Sequence, residues 1–124
     1  MKLKNSILII LLSISCHLFS QDMKEGFNYL ETGKYKKAET FFKVLIQENA
    51  KSFPALLGYA NTLSNLKEFK KALIFVNKAL DILPGNANAL ISKKYIRLGL
   101  ANNLVNKQNY TDAVKILNKN LIDF

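Results

Sequence analysis

Thiol catalysis or zinc binding in this chain would have to use Cys16 and His17, because it has one cysteine and one histidine. Both fall in an N-terminal stretch that reads as a removable leader, so the mature chain is expected to keep neither. The remaining candidates are nine acids: Asp22, Glu25, Glu31, Glu39, Glu48, Glu68, Asp81, Asp112 and Asp123. They come one at a time along polar faces, mostly within reach of lysines. Glu39 and Lys43 stand four apart, as do helix-supporting ion pairs. Gly26, Gly33, Gly58, Gly85 and Gly99 are isolated, so no glycine loop cradles a phosphate. A tuned acid, base, nucleophile or metal site is missing, and the expectation is a non-enzymatic protein without cofactor or metal.

The leader covers residues 1–20. Lys2 and Lys4 supply a positive start, Ile7 to Ile14 is almost unbroken isoleucine and leucine, and a short polar-to-small stretch ends at Ser20. That order is a secretory signal peptide's. The apolar run from Ile7 to Phe19 is 13 residues long, short of the roughly 18 that cross a bilayer. Cleavage after Ser20 is the expectation, leaving an exported domain, periplasmic or secreted. Ser13-Ile14-Ser15-Cys16 offers a rival end-point, a lipid-accepting cysteine, although Leu12 sits one place too far back for that signal. Membrane attachment would follow only from lipidation of Cys16 or an uncleaved leader.

Apolar residues make up 49% of the chain, enough to bury a core. The formal charge of +9 is almost all lysine, Arg97 being the one arginine. Lysine is a hydrated point charge and a poorer reader of phosphate and base edges, so nucleic acid is not an expected partner. Asparagine is also abundant, and a compositional bias towards these two residues accounts for much of the charge. That bias and the leader together suggest a bacterial source.

The elements are fixed by self-similarity. Residues from Gly33 and from Lys67 align without gaps at an offset of 34, and a third copy from Gln108 follows after 41. Tyr35, Phe69 and Tyr110 are each followed three residues later by Ala38, Ala72 and Ala113, and seven later by Phe42, Val76 and Leu117. Nine residues before each aromatic come Gly26, Ala60 and Ala101; six before come Tyr29, Leu63 and Leu104. Spacings of three, four and seven are helical. Small residues mark where paired helices cross closely, and the large ones fill the grooves beside them. Helices are expected at 22–32, 35–49, 53–65, 69–82, 87–107 and 110–122. Ser52 and Pro54 start the third of these, and Pro84-Gly85-Asn86 turns the chain after the fourth.

This order of small residue, large residue, glycine turn, aromatic, alanine, large residue and proline resembles the tetratricopeptide repeat. The middle copy, residues 53–86, meets most of the pattern, while the first has Ala50 where proline is usual. The resemblance implies an all-α domain over 21–124, with repeats at 21–52, 53–86 and 87–124 stacked into a short right-handed superhelix. It also implies a protein or peptide partner held on the concave face. By alignment that face presents Phe27 and Leu30, then Asn61 and Asn65, then Leu98, Asn102 and Asn106, with Asn61/Asn65 and Asn102/Asn106 in equivalent places. Carboxamides donate and accept at once and could grip an extended backbone. Some members of the family use a lysine–asparagine clamp for acidic chaperone tails. The aligned positions here, Met23, Phe27, Gly58, Tyr95 and Gly99, cannot form it.

Two departures matter. The third copy arrives seven residues late, and seven residues are two helical turns, so the helix from Ala87 can lengthen without turning its apolar face. The last helix carries Ile116, Leu121, Ile122 and Phe124 with no polar capping helix after it. An alternative role follows from that helix: an oligomeric or assembly subunit that docks through it. A lysine edge, Lys34, Lys36 and Lys37 with Lys67, Lys70 and Lys71, recurs beside the turn in two copies and reads mainly as a solvated face.

Overall fold

A computed structural model describes residues 23–123. Residues 1–22 and Phe124 lie outside the described residues, so the export and lipidation readings are matters of sequence alone. Six helices and no strand make up the described residues. They are α1 (23–31), α2 (Tyr35–Glu48), α3 (Phe53–Asn65), α4 (Phe69–Ile82), α5 (Ala87–Asn106) and α6 (Tyr110–Asp123). Neighbours in sequence pack against one another, and α3 also touches α5.

The three pairs α1–α2, α3–α4 and α5–α6 are closed by one recurring turn. Gly33, Lys67 and Gln108 all take positive φ, at 72°, 63° and 59°. The next residue's N–H reaches back to the carbonyl of Tyr29, Leu63 or Leu104, at 2.8 Å each time. This left-handed C-terminal cap satisfies carbonyls that the helix end would otherwise strand. Only the first copy keeps the glycine that suits it. The helices then start by different means. Asn86 accepts the Ala89 N–H at 3.0 Å, whereas Ser52, at the corresponding place before α3, makes no side-chain cap and its hydroxyl is buried. Pro54 in the first turn supplies the helical φ there.

The core runs along the middle of the stack. Ala38, Phe42 and Leu45 of α2 are buried at i, i+4 and i+7. So are Ala72, Val76 and Ala79 of α4. Between them α3 is buried from Ala55 to Ala60 and again at Thr62 and Leu63. Each of Phe42, Leu56 and Leu63 contributes about 1.5–3 kcal/mol by leaving water. The small residues that the repeat requires, Gly26, Ala38, Ala60, Ala72, Ala101 and Ala113, are all buried. Ring edges complete the packing of α1, where Phe27 meets Phe42 at 5.3 Å between centroids and Tyr29 meets Phe41 at 6.2 Å.

The late third copy is explained by α5, which has 20 residues against 13 in α3. Its two neighbours see it in different registers. Towards α6 the 41-residue offset holds: Ala101 stands for Ala60, opposite a buried Ala113 that stands for Ala72. Towards α4 the 34-residue offset persists. A Cβ on Gly58 would strike Phe42, the eighth residue of α2, but one on Gly99 would strike Phe69, the first residue of α4. Relative to the helix before it, α5 has slid by one heptad. Both registers coexist because a heptad returns nearly the same face.

Arg97 stands at a core position in either register. It corresponds to Leu56 in one register and to Leu63 in the other, both fully buried, and it is itself only 8% exposed. Its Nη1 donates to Asp123 Oδ2 of α6 at 2.5 Å, and beside it Asn120 Nδ2 donates to the Lys94 carbonyl at 3.3 Å. The far end of α6 is thus fastened to α5 by polar bonds, where the second pair has the buried Leu56 in the place of Arg97.

Candidate functional site

One face of α1, α3 and α5 forms a groove of about 490 Å³. Phe27 and Leu30 of α1 supply its apolar wall, Asn61 and Asn65 of α3 its polar floor, and Ser92 and Tyr95 of α5 the far wall. Phe27 is set by its edge contact with buried Phe42. The Asn65 carboxamide donates to the Asn61 carbonyl one turn back at 2.9 Å, which fixes its orientation and turns its own oxygen away from the helix. Tyr95 is 66% exposed and offers both a ring and a hydroxyl. Such a slot can hydrogen-bond an extended chain on one side and seat its apolar side chains on the other.

Of the residues expected on this face, Phe27, Leu30, Asn61 and Asn65 line the groove together. Leu98, Asn102 and Asn106 do not line it. The 41-residue offset does not extend to this part of α5, which keeps the 34-residue period and so sends Asn61 to Tyr95 and Gly58 to Ser92. Asn102 and Asn106 therefore stand two turns further along and are not equivalent to Asn61 and Asn65. Continuing the first period into α5 would have found Tyr95.

The residues expected on the docking helix separate as well. Ile116 is half-buried and turns towards Leu100 and Leu104 of α5. Leu121 and Ile122 are 80% and 83% exposed, and Phe124 lies outside the described residues. An outward stripe runs through Tyr110, Val114, Leu117 and Leu121, at alternating spacings of four and three.

The acids are engaged in ways that suit a surface. Glu68 meets Lys71 at 2.6 Å, Glu39 meets Lys36 at 3.0 Å and Asp112 meets Lys115 at 3.7 Å. Hydrogen bonds from Lys71 and Arg97 hold the carboxyls of Glu68 and Asp123 below their ordinary range, the wrong direction for a general acid. Among the described residues no group of three or more acids, histidines or cysteines could hold a metal, and no helix is long and apolar enough to cross a membrane.

Stacked helix pairs with small crossing residues and a groove on their first helices define a helical-repeat domain. A family model described as tetratricopeptide repeat matches residues 29–94, more than half of the chain, and the protein belongs to that family. No curated protein matches the sequence. Members of the family generally mediate protein–protein interactions and are typically not enzymes.

Proposed function

We propose that this protein is an exported, non-enzymatic binding module of the bacterial cell envelope that holds a peptide segment of a partner protein. The segment lies in the groove between Phe27, Leu30, Asn61, Asn65 and Tyr95. The observation that carries the reading is the convergence of three first helices on one slot with an apolar wall and a carboxamide floor. Export rests on the leader at residues 1–20 and the envelope on export. The test is affinity capture from envelope extracts with the wild-type domain and with an Asn61→Ala/Tyr95→Ala variant. A partner retained by the first and lost by the second supports the groove, and equal retention removes it. The mass of the mature N-terminus decides between cleavage after Ser20, an acyl group on Cys16 and an intact leader.

A second reading is favoured by the exposed stripe on α6. There the protein is an assembly subunit whose copies or partners cover Tyr110, Val114, Leu117 and Leu121. Light scattering tests it: a dimer that Leu121→Asp converts to a monomer supports this role, and a wild-type monomer removes self-association.

A further inference from the structure

The two extra turns of α5 enlarge a place that the first repeat turn also has, where Gly33, Tyr35, Lys36, Lys37 and Leu66 line about 360 Å³. The extra turns carry Leu100, Asn103, Leu104 and Lys107 over the α3–α4 turn and leave a groove of about 400 Å³ beneath. Its floor is apolar, formed by Phe69, Leu100 and Leu104, and its rim carries Lys67, Lys70, Lys71 and Lys107. Across Leu100, Leu104 and Lys70 it continues into a second groove of about 340 Å³, walled by Ile116 and edged by Lys115 and Lys119 of α6. Two acids border the pair. Glu68 is held by Lys71 at 2.6 Å and Asp112 by Lys115 at 3.7 Å. Lys67, Lys70, Lys107 and Lys119 make no ion pair among the described residues. Like charges converge here on a slot lined by carbon, an arrangement that an anion between them would stabilise.

We propose that this groove is a second docking site, separate from the one between α1, α3 and α5, for an acidic segment of a partner protein with an apolar side chain among its carboxylates. The ammonium groups reach the carboxylates from both rims, and the apolar side chain covers Leu100, Leu104 and Phe69. A polypeptide suits the place better than a lipid surface. The cations face one another across a walled slot formed by the start of α4, the overhang of α5 and α6, whereas a membrane presents a plane.

The experiment uses a fluorescein-labelled peptide of alternating Asp and Glu around a central Leu, followed by anisotropy at low and at physiological salt. The wild-type domain is expected to bind it, more weakly as salt screens the lysines. Lys70→Glu/Lys107→Glu should lose at least about tenfold in affinity with an unchanged circular-dichroism spectrum. Lys51→Glu, in the loop at the opposite end of the helices, and Asn61→Ala, in the other groove, should bind as the wild type does. Loss through Asn61→Ala would place the peptide in the first groove and overturn the proposal. So would no binding at low salt, an equal loss through Lys51→Glu, or capture by anionic phosphatidylglycerol vesicles that the peptide does not compete away.

Discussion

Gly99 lies so close beneath the Phe69 ring that a Cβ on it would strike the ring's edge. Gly58 stands in the same relation to Phe42, but one heptad further along the preceding helix. The two contacts differ in their surroundings, because Phe42 is fully buried and Phe69 only half-buried. A methyl at Gly58 meets a ring enclosed on all sides, so Gly58→Ala should cost about 1–3 kcal/mol by overpacking. At Gly99 the ring can swing outward, and Gly99→Ala should cost less. Urea titrations of the two variants check the order, and an equal or reversed cost would mean that the Phe69 ring is held as firmly as Phe42.

The shared turn gives a prediction of opposite sign. Gln108 holds φ at 59° with a full side chain, where Gly33 holds 72° without one. Left-handed backbone strains a residue bearing a Cβ, whereas glycine adopts it freely at some entropic cost in the unfolded chain. Gln108→Gly should therefore stabilise the protein by about 0.5–1 kcal/mol. Thermal unfolding measures it, and a lower midpoint would mean that the Gln108 side chain stabilises the turn in a way its geometry does not reveal.

The Arg97–Asp123 pair responds to acid in a defined direction. The hydrogen bond from Arg97 lowers the Asp123 carboxyl below its ordinary value of 3.8. A lowered folded-state value means that the ionised form is favoured by folding. Its contribution is complete above pH 3.8 and is lost as the pH falls through the lower folded value. Asp123→Asn should flatten the stability profile in that acid range and lower the melting point at neutral pH. Arg97→Met, which trades a buried guanidinium for a flexible apolar chain, should leave stability within about 1 kcal/mol.

Binding should discriminate between carboxamides that look alike in sequence. Tyr95→Ala and Asn61→Ala are expected to weaken a partner held between the first helices, each by about 1–2 kcal/mol. Asn102→Ala and Asn106→Ala should leave it unchanged, since neither lines that groove. Calorimetry with the captured partner measures all four. Losses confined to Asn102 and Asn106 would move the site to the far end of α5.

Much of the fold was legible because helix crossings demand small residues. Gly26, Ala38, Ala60, Ala72, Ala101 and Ala113 recur in step, and all are buried. The boundaries followed from the turns between them: α3 and α4 span Phe53–Asn65 and Phe69–Ile82, the ranges expected for them. The candidate groove was half legible. Phe27, Leu30, Asn61 and Asn65 sit on α1 and α3, where one period applies. On α5 the spacing says that seven residues were gained but not which end of the helix received them, and both choices leave its apolar face intact. Only a contact across helices, Gly99 on Phe69, separates the two. Arg97 was opaque for a related reason: its partner Asp123 is 26 residues away and, by sequence, is one more solitary acid.

Because α5 keeps step with α4 on one side and with α6 on the other, it belongs to two repeats at once. Stacked modules usually fray from their ends, each coming away without much disturbing the next. Here the last module cannot peel off whole without uncovering Phe69 and the outer side of α4. The splice should join the second and third modules into one cooperative unit, leaving α6 alone to detach early.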